Sequence, residues 1–265
     1  MFCLCKGIQV LREDSEAPDA GQRETRSAHL FDNGACYTGE WVGELRDGKG
    51  VQLWADSTRY DGQWRNDVCH GDGKFIHSDG DVYNGQWVMG KAQGHGTYHH
   101  HDGGSRYEGQ WWEDKQHGEG YETWAGGATY TGQYRDGLKH GRGTFTWDDG
   151  SKFVGQFVAN DRHGTGCYQW KDGRSYDGDW AGNRMHGAGV FTWAGGKRYE
   201  GQYVNDVKEG TGICSWPNGS QYSGQWLRGK MHGKGTFTGE DGSVRAGEWD
   251  MGVPVAEEGD PREAG

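Results

Sequence analysis

Six histidines stand at one recurrent place. His70, His117, His140, His163, His186 and His232 each directly precede a Gly-x-Gly. Imidazoles at equal intervals invite two chemistries, a metal array or an acid–base relay. Either needs a carboxylate or thiol at a constant offset, and none recurs beside these histidines. The expected role is local: a histidine that caps or hydrogen-bonds the loop ahead of the two glycines. A denser group, His95, His99, His100 and His101 in "HGTYHHH", offers more ligands. Adjacent strand residues point to opposite faces, so at most two of the last three can share an ion. His77 and His100 hold equivalent places one unit apart and are expected to be neighbours. Solvated or stacked histidines are the expectation, with no metal and no cofactor. The Gly-x-Gly pairs also invite a phosphate-loop reading. A phosphate cradle wants a strand, a glycine loop and a helix N-terminus, and no helical periodicity follows any of them.

These residues are framed by a repeat. Aromatic-x-Gly triplets open at Tyr37, Tyr60, Tyr83, Tyr107, Tyr130, Phe153, Tyr176, Tyr199 and Tyr222, and Arg245 replaces the aromatic in a tenth. The step is 23 residues, except for one of 24 between Tyr83 and Tyr107, whose extra residue falls in the turn "HHHDGGSR". Counting from the first residue of each triplet, position 3 is always Gly and position 5 always aromatic. Positions 12 and 14 are Gly in every complete unit. Position 18 is Trp in six of nine units: Trp54, Trp124, Trp147, Trp170, Trp193 and Trp216.

Positions 1, 3 and 5 share one face of a strand. Tyr and Trp therefore point one way, with a Gly between them that leaves room for a neighbour's ring. Positions 2 and 4, mostly Thr, Asp, Glu or Gln, face water. Positions 14, 16 and 18 repeat the alternation on a second strand, as in "GTFTW". Asp-Gly and its equivalents near position 21 supply the positive φ of a tight turn. A six-residue loop is expected between positions 5 and 12. Each unit is thus a β-hairpin. The expected fold class is all-β: an elongated, single-layer antiparallel β-meander, a rod of stacked 23-residue hairpins. About twenty strands at ~4.8 Å would make it roughly 90 Å long.

The Y-x-G-x-W opening and H-G-x-G centre, as in "YDGDWAGNRMHGAG" at 176–189, resemble the MORN repeat (membrane occupation and recognition nexus). The resemblance covers nine full units and one half unit, from Tyr37 to Met251. It implies a twisted, extended sheet that serves as a non-enzymatic scaffold in cytoskeletal, ciliary or membrane-junction assemblies. For some members it implies phosphoinositide binding, which makes a membrane phospholipid-binding module the alternative function.

Composition narrows these readings. The chain holds 51 Gly but 4 Pro, with 14 Trp and 13 Tyr, so the glycine is periodic and the aromatics must supply the buried area. A net charge of −11 disfavours nucleic acid and any purely electrostatic grip on anionic lipid. Six cysteines form no regular ladder and no C-x-x-C pair, consistent with a reduced, intracellular setting. The expected location is cytoplasmic, cytoskeleton- or membrane-associated. Too few residues flank the repeats for a catalytic domain, so no enzyme is expected.

Three segments are expected: a non-repeat N-terminus (1–28), the array (29–251, opening with the half unit "HLFDNGAC") and an acidic, disordered tail (252–265). The N-terminus lacks the basic region of a signal peptide. Its Cys3 and Cys5, flanking Leu4, suit S-palmitoylation, and two acyl chains would make a stable anchor. The aromatic face, with nothing evident to cover it, is the expected groove for a partner helix or peptide. Its candidate residues are Tyr60, Trp64, Tyr83, Trp87, Tyr107, Trp111, Tyr130, Trp147, Trp170, Tyr176, Trp180 and Trp193. The groove and open sheet edges also favour a homodimer.

Overall fold

The computed structural model describes residues 21–255. They form 21 strands and no helix, and from Cys36 to Asp250 strands of seven and nine residues alternate. Among the described residues no helix is long and apolar enough to cross a membrane. The chain divides into two compact units between His140 and Gly141. In the first, strands from Glu24–Leu30 to Thr129–Arg135 pair antiparallel, each with the next. In the second, the same order runs from Gly141 to Pro254. The all-β hairpin meander expected from the repeat is therefore the observed fold of each unit.

The hairpin departs from expectation at its first connection. The six-residue loop does not exist. Positions 7 and 8 make a two-residue turn with positive φ at both, for example Asn66 at 49° and Asp67 at 67°. That is the type I′ geometry matched to strand twist. The second strand then starts at position 9, as in Val68–Ile76. Sequence missed it because non-glycine residues such as Met89, Glu113 and Ala159 occupy the left-handed first place. The turn survives this cost because the long strand of the preceding repeat locks it. The amide of Asp206 donates to the Met185 carbonyl at 2.9 Å, and the Asp206 carboxylate accepts from the Met185 amide at 2.8 Å. Asp67 with Arg46 and Asn183 with Arg162 repeat this clasp between units of the repeat. The second connection is as expected. Trp147 and Ser151 close a loop in which Gly150 takes a φ of 88°.

The long strand carries a bulge where the Gly at position 12 turns left-handed, between Gly178 and Asp179 in the register of strands Ser175–Ala181 and Arg184–Thr192. The position-4 side chain fills it. Gln202 Oε1 accepts from the Thr211 amide at 2.9 Å, and Gln63, Gln86, Gln110, Gln156 and Gln225 do the same one bulge each. These glutamines are more than water-facing. They satisfy an amide that the bulge removes from the ladder.

The array also runs further than its sequence boundaries. The first strand begins at Glu24, inside the expected non-repeat segment, and Val253–Pro254 pair with Trp249–Asp250 inside the expected tail. Backbone pairing does not require the aromatic signature that marked the repeats.

The invariant glycines at positions 3 and 14 face one another, as Gly62 and Gly73 do. The ring laid over them is the unit's own position-1 tyrosine, not a neighbour's. A Cβ on Gly62 would lie 2.7 Å from the Tyr60 hydroxyl and 2.5 Å from Gly73 Cα. Gly189→Ala, whose Cβ would stand 2.5 Å from the Tyr176 ring, should therefore destabilise the chain by about 1–3 kcal/mol through overpacking. Gly195→Ala meets nothing within 4 Å and should change stability by less than about 0.5 kcal/mol. Urea denaturation followed by far-UV circular dichroism distinguishes the two; equal losses would refute the packing account.

Candidate functional site

Positions 1 and 5 build a continuous file of edge-to-face rings. In the first unit Tyr60 meets Trp64 at 5.1 Å and Trp87 at 5.5 Å, both near perpendicular. Tyr83 then meets Trp87 and Trp111, each at 5.1 Å. In the second unit Tyr176 meets Trp180 at 5.2 Å and Tyr203 at 5.3 Å. Most polar ends are satisfied by backbone, though the Tyr134 hydroxyl donates to Glu122 and the Tyr203 hydroxyl and Trp41 Nε1 are buried without a hydrogen-bond partner. The Tyr60 hydroxyl donates to the Gln63 carbonyl at 2.9 Å, and Trp64 Nε1 donates to the Gly50 carbonyl at 3.1 Å. Trp87, Trp111, Trp180 and Trp226 bond the preceding unit's glycine in the same way.

This arrangement changes the expected groove. Tyr60, Trp64, Tyr83, Trp87, Tyr107, Trp111, Tyr130, Tyr176 and Trp180 are all core residues, none more than 6% exposed. They cover one another and so cannot line an open groove. Burial pushes the phenols up, to about 12 at Tyr37. Trp147, Trp170 and Trp193 differ, being only half-buried.

A second aromatic row, from positions 16 and 18, lies beside the first, with position 16 paired across the strands with position 1, as Tyr168 is with Tyr176. In the second unit it is continuous from Phe145 to Trp193: Phe145, Trp147, Tyr168, Trp170, Phe191 and Trp193 touch in sequence at 4.4–5.3 Å. In the first unit His77 and His100 interrupt the tryptophan column, leaving Trp54 and Trp124.

Position 10 supplies the lid over the buried rings. Arg46 lies 4.3 Å from the Trp64 ring centre and Arg162 4.5 Å from that of Trp180, in cation–π contact. Elsewhere the column holds Cys69, Ala92 and Met185. Sequence reasoning missed it because the column, which also holds Gln116, Lys139, Lys208 and Met231, mixes charged, polar and apolar residues without pattern. Burial pushes the Cys69 thiol up to about 12.

The recurrent histidines form no relay. His186 stands opposite Asp179 at the bulge, and the Nδ1 atoms of His70, His117 and His186 are buried with no hydrogen-bond partner. The dense cluster is organised by Asp81 instead. Its carboxylate accepts from the Tyr98 hydroxyl at 2.7 Å and the His101 amide at 2.8 Å, and meets the Nδ1 atoms of His100 and His101 at 3.2 and 3.1 Å. Tyr98 stands between His77 and His100, at 6.2 and 4.9 Å from their rings. No set of three His, Cys, Asp or Glu among the described residues could hold a metal. Cys3 and Cys5 lie outside the described residues.

Burial alone would raise the Asp81 carboxyl, but the hydrogen bonds from Tyr98 and His101 outweigh it and hold it at about 2. A depressed carboxyl adds stability above its unfolded value of about 4 and loses it as pH falls towards 2. Asp81→Asn should thus be less stable than wild type at neutral pH, by on the order of 2 kcal/mol. The gap should narrow below about pH 4. Urea midpoints of both chains across pH check it; a pH-independent gap would show that the ionised carboxylate is not what matters.

The MORN repeat profile matches residues 37–59, 60–82, 83–105, 107–129, 130–152, 153–173, 176–198, 199–221 and 222–244. Curated protein sequences offer no match. Among solved structures the chain is similar to the TCP10 domain of Danio rerio CPAP. Identity is 14% and the TM-score 0.42, over 78% of this chain and 97% of that one. The same domain in complex with a peptide of Danio rerio STIL aligns at 13% identity and a TM-score of 0.40, over 86% and 100%. An inactive virginiamycin B lyase from Staphylococcus aureus aligns at 11% identity and a TM-score of 0.16, over 86% and 74%. With nine consecutive repeats matched across most of its length, each built on the same hairpin with an aromatic ring, tyrosine in eight and Phe153 in one, over facing glycines, the chain belongs to the MORN-repeat family.

Proposed function

We propose that this chain is a non-enzymatic scaffold that docks a protein segment, helical or extended, on the outer aromatic row of its second unit. One observation carries the reading: six touching rings from Phe145 to Trp193 that include three half-buried tryptophans, Trp147, Trp170 and Trp193. The inner file is closed by its own packing, so on this face the hot-spot chemistry of tryptophan is available in the outer row. The buried phenols support binding over catalysis. Their raised values come from burial, and their hydroxyls are spent on backbone carbonyls. The scaffold acts in the cell interior at a cytoskeletal or membrane-associated structure, and acylation at Cys3 and Cys5 supplies the membrane affinity.

Two measurements test this. A photo-crosslinking residue at Trp170 should capture a discrete, stoichiometric protein in cells, while the same residue at Glu200, on the opposite face, should not. Equal capture at both places would rule out the row as the docking surface. Tagged wild type should fractionate with membranes and the Cys3→Ser, Cys5→Ser double variant should become soluble. If both stay on a detergent-resistant cytoskeleton, the anchor is wrong and the repeats carry targeting.

A further inference from the structure

The outer row of the second unit is broken at one place. Position 16 is Phe145, Tyr168, Phe191 and Phe237 in the other hairpins, but Cys214 between Trp193 and Trp216. Two ammonium groups gather there. Lys197 Nζ lies 5.1 Å from the Trp193 ring centre and 5.2 Å from that of Trp216. Lys208 Nζ lies 4.6 Å from Trp193, 4.7 Å from Tyr199 and 4.9 Å from Trp226. Both lysines are half-buried.

The other cations of these aromatic rows each have a polar or acidic partner. Arg46 pairs with Asp67, Lys139 with Glu122 and Arg174 with Asp172, and Arg162 donates to the Asn183 carbonyl at 2.8 Å. Among the described residues, Lys197 and Lys208 have no carboxylate at ion-pair distance. Burial depresses Lys208, and Lys197 adds to the depression by repulsion. Two like charges held together on ring faces, in a chain of net charge −11, carry an unmet demand for an anion.

Resting on the docking role above, we propose that Lys197 and Lys208 form a carboxylate-recognition notch, which takes an Asp or Glu side chain of an acidic, apolar-flanked peptide lying along the outer tryptophan row. The carboxylate accepts from both ammonium groups while its aliphatic stem packs between Trp193 and Trp216. Successive tryptophans stand two strand spacings apart, about 10 Å. A peptide in the extended polyproline II conformation, whose side chains return to one face every third residue, covers that in about three residues, and a helix in about seven. The recognised pattern is therefore an acid with an apolar residue three places away, or seven if the segment is helical.

The test is selection from a random peptide library on the immobilised full chain, followed by fluorescence anisotropy with the recovered synthetic peptides. The expected peptides carry an acid at that spacing from an apolar residue. Converting the acid to its amide should weaken binding about tenfold. Lys197→Gln, and separately Lys208→Met, should weaken it comparably, and high salt should weaken wild type but not the variants. Lys208 also packs on buried rings, so thermal melts accompany both variants; Lys197 is held at a turn, which keeps its variant informative if Lys208→Met unfolds.

If peptides bind and Trp170→Ala weakens them, but amide conversion and Lys197→Gln change nothing, the notch is refuted and the docking row stands. If no peptide is recovered, or none responds to Trp170→Ala, both fall together. Phosphatidylcholine vesicles with and without phosphatidylserine give the remaining arm. Lysine-dependent uptake by phosphatidylserine, with peptides insensitive to their acids, would make the anion a lipid and overturn the proposal.

Discussion

A tyrosine ring laid on two facing glycines is the contact on which the rest depends. Any side chain at Gly178 or Gly189 would enter the space of the Tyr176 hydroxyl and ring. With both absent, the ring lies against bare backbone and its hydroxyl reaches the Asp179 carbonyl at 3.0 Å. The ring's edge then meets Trp180 and, one unit on, Tyr203. Burying a phenol this way meets the rule that buried polar groups are bonded. It does so with backbone alone, so the arrangement can repeat without a unique partner in each unit.

Each hairpin is finished by its successor. The tryptophan of one unit bonds the glycine carbonyl of the unit before it, as Trp226 does with Gly212 at 3.0 Å. The type I′ turn is clasped by the long strand of the preceding unit, as Asp206 is by Met185. Stability in such an architecture is a sum over neighbours. That explains why left-handed Glu113 or Met89 is tolerated: the cost at one turn is offset by bonds made to the adjacent hairpin, from Asp114 to Ala92 and from Gly90 to Cys69.

The same logic separates two aromatic rows that look alike in composition. The inner row is spent on cohesion, with Arg46 or Arg162 closing the last exposed faces. The outer row carries cations too, Arg174 on Trp170 and Lys197 on Trp193, yet keeps its tryptophans half-exposed. Arg174 is paired with Asp172, whereas among the described residues Lys197 and Lys208 lie on ring faces without an acid at ion-pair distance. The binding role proposed above therefore falls on rings beside the motif that defines the repeat, not on the motif itself.

By itself the sequence determined the period, the strand faces and the hairpin order. Alternating aromatics and glycines at positions 1, 3, 5 and 14 admit one strand register, and Asp-Gly near position 21 admits a turn. The identity of the inner residues as a face was equally legible. What covers that face was not, because coverage comes from residues 23 apart and from a position-10 column with no pattern. The two-residue turn was hidden for a similar reason: its left-handed residues are held by bonds to another hairpin, not by their own preference. Likewise the meeting of Lys197 and Lys208 follows only from folding, which brings a turn and a strand eleven residues apart onto the same tryptophan. Local periodicity fixes which way a side chain points; only the stacked neighbours decide whether anything is left for a partner to touch.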